Sequence, residues 1–205
     1  MKDIKNLVID FGGVIINLAR NRCIEAFAAL DINVREQLTN NYLPKDMFMA
    51  IELGQMTSAE FRDAIRLLTN REVTNKQIDD AWICMLNDVP TYKLDLLLEL
   101  KEKYNTFLLS NTSELHWVWS EKNVFSYKGH RAADFFTKVY LSYELHMVKP
   151  HADIFEYVIK DANIIPKESL FIDDALPNCR TAGSLGFRTY MPEAGEDWRH
   201  LFSPL

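Results

Sequence analysis

Four short runs of aliphatic, β-branched or aromatic residues constrain this chain more than any other feature. They fall at residues 7–9, 106–109, 139–141 and 170–172, and Arg188-Thr189-Tyr190 makes a fifth. Leu7-Val8-Ile9 and Leu170-Phe171-Ile172 are apolar without alternation. A strand with one wet face alternates apolar and polar residues; a strand covered on both faces does not. Helical segments separate the runs. Residues 92–104 place Leu94, Leu97, Leu98 and Lys101 at helical spacing. Residues 153–162 do the same with Ile154, Val158 and Ile159, and Pro150 stands ahead as a start signal. Strand, helix, strand in repetition predicts an α/β fold, a doubly wound parallel sheet.

The interval from residue 18 to residue 90 reads differently, because it holds no convincing strand. Thr57-Ser58-Ala59-Glu60 is a capping box, followed by Phe61, Ile65 and Leu68 on one helical face. Thr74-Asn75-Lys76-Gln77 is a second box, with Ile78, Trp82 and Met85 in phase behind it. Cys23, Phe27 and Leu30 mark a third helix over residues 22–30. The 205 residues suffice for one sizeable core plus an inserted subdomain. The expected division is a core of residues 1–17 and 91–205 with a helical cap of residues 18–90. The insertion starts beside Asp10, which puts it over the carboxyl-end crevice as a lid.

Charge and cysteine content narrow the function classes. A net charge of −6 argues against a nucleic-acid partner but leaves room for a small phosphorylated ligand. Cys23, Cys84 and Cys179 form no metal-binding spacing, as expected of a reduced protein. No signal peptide and no membrane span is expected, and cytoplasm follows by default.

Polar residues close the runs in order. Asp10-Phe11-Gly12-Gly13-Val14 follows the first, Ser110-Asn111-Thr112 the second, and Asp173-Asp174 the fourth, with Asn178 beyond; Lys149-Pro150 precedes a helix. In an open parallel sheet these ends gather on one rim. Hard carboxylate oxygens from Asp10 and Asp174 suit Mg²⁺, Lys149 can neutralise phosphoryl oxygens, and Ser110 can donate to one. Asp10 could then attack phosphorus as a nucleophile. Taken singly, each group has a bland reading: a turn aspartate, a solvated lysine, helix caps. Four in order at these spacings do not.

The ordered set of Asp10-Phe11-Gly12-Gly13-Val14, Leu108-Leu109-Ser110-Asn111-Thr112, Val148-Lys149-Pro150 and Phe171-Ile172-Asp173-Asp174 with Asn178 resembles the haloacid dehalogenase superfamily. Nearly the whole chain takes part, the cap included. The closest subgroup has an Asp-x-Gly-x-Val first motif and includes hexose 1-phosphate phosphatases. The resemblance implies a Rossmann-like core and a Mg²⁺-dependent phosphatase of a small phosphorylated metabolite such as a sugar phosphate, working through an aspartyl-phosphate. It makes Asp10 nucleophile and metal ligand, Gly12 a metal ligand through its carbonyl, and Asp174 a metal ligand through its carboxylate. Ser110 and Asn111 would bind the phosphoryl group, Lys149 would hold it and Asp10, and Asp173 and Asn178 would support them.

Gly12 departs from the family pattern. Most phosphatases of the superfamily carry a second aspartate there, an acid for the leaving oxygen that supplies about 10²–10⁴-fold. Its absence predicts a preference for leaving groups of low pKa. It also keeps two other readings open, a 2-haloacid dehalogenase-like hydrolase and a phospholigand-binding pseudoenzyme; the Asp173-Asp174 pair weighs against the dehalogenase. His116, His130, His146, His151 and His200 show no ligand spacing, and Trp117 and Trp119 read as packing. Met47 and Met49 read as gap-filling core, and Arg20 and Arg22 as solvated residues at the start of the cap.

Overall fold

The computed structural model describes residues 3–35, 38 and 47–202. Five strands pair in parallel in the order β3-β2-β1-β4-β5: β1 Asn6–Ile9, β2 Asn105–Ser110, β3 Lys138–Leu141, β4 Ser169–Ile172 and β5 Arg188–Tyr190. Each expected strand is present to within one residue. β1 and β4 are buried along their whole length, which explains their unbroken apolar character. Successive side chains still point to opposite faces. Leu7 and Ile9 enter one core with Leu94, Leu97 and Leu100, while Val8 enters the other with Ile154, Phe155 and Val158. The sheet is thus sandwiched between helices α5 (Thr91–Lys101) and α6 (Glu114–Asn123) on one side and α9 (Ala152–Asp161) and α10 (Leu176–Ser184) on the other. Short helices α7 (Ala132–Phe135) and α8 (Ser142–Leu145) flank β3.

Among the described residues, the insertion contributes helices α1 (Arg20–Ala28), α2 (Met47–Glu52), α3 (Ser58–Arg66) and α4 (Asn75–Ile83). Both expected capping boxes form. The Thr57 and Thr74 hydroxyls accept from the backbone N–H of Glu60 and Gln77, whose side chains accept in return from the threonine N–H groups. These helices bury a core of their own, with Phe27, Phe48, Phe61, Ile65, Ile78 and Trp82 at its centre. Two chain passages join them to the sheet. Leu18 and Leu86 pair antiparallel there, with Asn17 N–H donating to Asp88 O and Ala19 N–H to Met85 O. Arg22 donates to Asn87 Oδ1 across the same junction at 2.8 Å.

Candidate active site

Register builds the site. Ile9 lies opposite both Leu108 and Ile172, so the residues one step further on, Asp10, Leu109 and Asp173, stand side by side where the strands end. β1 is the strand at which the chain reverses its direction of travel across the sheet, since β2 and β3 lie on one side and β4 and β5 on the other. The crevice at the carboxyl end of such a strand is where open α/β sheets bind ligands. Here a cleft of about 580 Å³ opens, lined on the sheet side by Asp10, Gly12, Ser110, Lys149 and Asp174, and on the helical side by Phe48, Trp82 and Met85.

Lys149 is the centre of the polar arrangement. Its side chain is 1% exposed, and its ammonium lies 2.7 Å from Asp10 Oδ1 and 2.6 Å from Asp173 Oδ2. The third bond goes to the Leu109 carbonyl at 2.9 Å. An ammonium has three protons, so this one is fully committed. Burial by itself would lower the lysine pKa, but Asp10 and Asp173 outweigh it and hold the group above its ordinary range. Burial likewise pushes the Asp10 carboxyl up; Lys149 opposes this, and Asp173 and Asp174 add to it. The Asp174 carboxyl is raised by burial and by Asp173, against the pull of Lys149 and Arg20.

The flanking groups fix this centre. Asp173 is fully buried; its Oδ1 accepts from Ala175 N–H at 2.9 Å and its carboxylate from Asn178 Nδ2 at 2.9 and 3.1 Å. Asn111 uses its side-chain amide on the Lys149 backbone, donating to Lys149 O and accepting from Lys149 N–H, each at 2.9 Å. That pair ties the loop after β2 to the loop that carries the lysine. Ser110 stays buried at the cleft floor.

The sequence gives no warning of one required residue. A Cβ on Gly13 would sit 2.1 Å from Asp174 Oδ2, and Gly13 has φ +78°. Only glycine lets Asp174 come this close. Oxygens of Asp10, Asp173 and Asp174 all lie within 4.8 Å of one another. Because Asp173 is spent on Lys149, Ala175 and Asn178, the oxygens of Asp10 and Asp174 are the ones open to a hard cation. This donor set fits Mg²⁺.

The groups read as bland divide. His116 is a buried core histidine whose Nε2 meets the Trp82 carbonyl at 3.0 Å and whose ring stacks on Trp82 at 4.4 Å. Trp117 packs on Phe125 in the core beside the sheet. Met47 packs against the core of the inserted helices, whereas Met49, Arg20 and His151 line the cleft. Arg20 therefore faces the site, not bulk solvent alone.

Sheet, rim and cleft together define an α/β enzyme built around a buried carboxylate–ammonium centre. The chain belongs to the haloacid dehalogenase-like hydrolases, whose family model matches residues 4–186. It is 39% identical over 196 residues to the D-ribitol-5-phosphate phosphatase of Bacteroides thetaiotaomicron, covering 96% of this chain and 95% of the relative. A HAD family enzyme from the same organism, solved with magnesium and inorganic phosphate, superposes with a TM-score of 0.91 at 52% identity, covering 97% of this chain and 99% of that one. A HAD-like family hydrolase of Porphyromonas gingivalis gives a TM-score of 0.90 at 36% identity, covering 98% and 96%.

Proposed function

We propose that this chain is a Mg²⁺-dependent phosphomonoesterase acting on a small phosphorylated metabolite, a sugar or sugar-alcohol phosphate, through an aspartyl-phosphate on Asp10. The observation that carries the reading is the Lys149 ammonium bridging Asp10 and Asp173 at the floor of the cleft. A nucleophilic carboxylate must stay ionised in a buried place, and the adjacent ammonium favours that form. Asp10 and Asp174, with the Gly12 carbonyl, would hold Mg²⁺, which when bound offsets the charge of the phosphoryl oxygens. An Asp10 oxygen attacks phosphorus, the ester P–O bond breaks, and water then cleaves the acyl phosphate to restore the carboxylate.

Ser110 donates to a phosphoryl oxygen. Asn111 acts by holding the Lys149 backbone, and Asp173 and Asn178 act by holding the Lys149 side chain. We read residues 18–90 as a cap that carries substrate selection. Its cleft face mixes the apolar Phe48, Met49 and Met85 with the polar Arg20, Glu52 and Gln55, a lining suited to an alkyl chain bearing hydroxyls. D-Ribitol 5-phosphate, named for the relative, is such a molecule; its primary alcohol is a leaving group of high pKa, for which the absence of an acid at Gly12 costs most.

The test is phosphate release from a panel of sugar and polyol phosphates, with and without Mg²⁺. Release by the wild type with Mg²⁺, abolished in Asp10→Asn, is expected. Metal-independent turnover of 2-haloacids would point to the dehalogenase reading. Phospholigand binding without turnover would point to a pseudoenzyme.

A further inference from the structure

Gly12 offers no acid where the superfamily pattern carries one, and a particular side chain stands against it. A Cβ built on Gly12 would lie 3.0 Å from Leu18 Cδ1 and 3.5 Å from Leu18 Cδ2. The backbone at Gly12 is not in the left-handed region that Gly13 occupies. An L-residue could adopt it, so it is Leu18 that keeps a side chain out. A side chain at position 12 would require the half-buried Leu18 side chain to shift. Leu18 pairs with Leu86 at the junction of cap and sheet, and it packs against both the sheet-side core and the cap core. Overpacking such a position is destabilising. Gly12 and Leu18 both line the cleft next to Asp10.

We infer that Leu18 is a specificity-determining residue: it closes the position of the missing acid with an apolar wall, so that the leaving oxygen receives no proton from position 12. The inference rests on the phosphatase reading. In the step it governs, the P–O ester bond breaks as Asp10 bonds to phosphorus, and the departing oxygen keeps the electron pair. Neither Gly12 nor the aliphatic Leu18 has a proton to give that oxygen, and water supplies it. Rate then depends steeply on the stability of the departing anion. Water is already a reactant in the later hydrolysis of the acyl phosphate, so no further reactant is needed.

The experiment is a double-mutant cycle on the Mg²⁺-loaded enzyme, comparing wild type, Gly12→Asp, Leu18→Ala and the double variant. Each is assayed over phosphomonoesters from nitrophenyl to primary alkyl, with thermal melting to verify folding. The wild type should show a steep dependence on leaving-group pKa. Gly12→Asp alone should gain nothing, since Leu18 blocks the carboxylate. The double variant should raise alkyl-ester turnover at least tenfold over either single variant, within the about 10²–10⁴-fold that a positioned acid supplies, and should flatten the dependence. Leu18→Val, which withdraws both δ-methyls but keeps a branched residue at the junction, provides a second background. A flat wild-type series, a full gain from Gly12→Asp alone, or strict additivity in folded variants would overturn the role of Leu18 while leaving the phosphatase reading standing. Absence of Asp10-dependent turnover on every ester would remove the phosphatase reading, and the inference with it.

Discussion

Asp174 and Gly13 are far apart in sequence and nearly interpenetrate in space. The carboxylate oxygen sits where a β-carbon at position 13 would be, 2.1 Å away. Gly13→Ala must therefore displace Asp174 and also strain a residue at φ +78°. We expect this variant to lose at least about a hundredfold in activity, in line with the loss from a displaced catalytic group, and to bind Mg²⁺ more weakly by calorimetry. Unchanged Mg²⁺ affinity would show that Asp174 does not need this approach. Asp10, Ser110 and Asp173 could be picked out in the sequence, because a polar residue closing a buried strand is conspicuous, and Lys149 by the proline that precedes a helix. Gly13 could not be, since a turn glycine and a cradle glycine look the same until the neighbour is known. The saturation of Lys149 was equally hidden: its partners are 24 and 40 residues away or more distant still.

Among the elements, local rules did most of the work. Both capping boxes form where Thr57 and Thr74 announce them, because their bonds span three residues and need nothing from the rest of the fold. The contact between α4 and α6 has no such local signal. Trp82 Nε1 donates to Ser113 Oγ at 3.1 Å, and His116 stacks on the Trp82 ring. Burial depresses the His116 pKa from 6.5 to about 4, only partly offset by its bond to the Trp82 carbonyl. The folded state thus holds the neutral imidazole, while the unfolded chain takes up a proton first as pH falls. Stability conferred by this site is intact above about 6.5 and is lost on descending towards about 4. The shift corresponds to about 3 kcal/mol at most. Urea unfolding of wild type and His116→Phe across this range should show the wild type losing more stability on acidification. Parallel pH dependences would exclude His116 as the source.

For the molecule as a whole, the hydrophobic core of the inserted helices meets the sheet side over the rim, and these helices are held at more places than the two chain passages that join them to the sheet. Ser58 bonds Glu114, the Leu53 carbonyl meets His146 Nδ1 at 3.0 Å, and Trp82 lies between cap and sheet helices while also lining the cleft. Trp82 contacts Phe48 and Phe61 at ring separations of 5.0 and 5.7 Å. Trp82→Ala should cost about 3–5 kcal/mol through the cavity it leaves and raise KM more than it lowers kcat, because it enlarges the cleft on the side away from Asp10. A denaturant melt and steady-state kinetics check both halves; a loss confined to kcat would place Trp82 in the chemistry instead. The sequence by itself determined the strands, the capped helices and the four polar clusters, because these depend on burial pattern and on bonds between near neighbours. Only the tertiary structure decided that Lys149 is fully bonded, that Asn111 serves the lysine backbone, that Gly13 makes way for Asp174 and that Leu18 fills the space at Gly12. Each of these rests on which side chain arrives opposite another, and that is fixed by sheet register and by the packing of the inserted helices, not by any local run of residues.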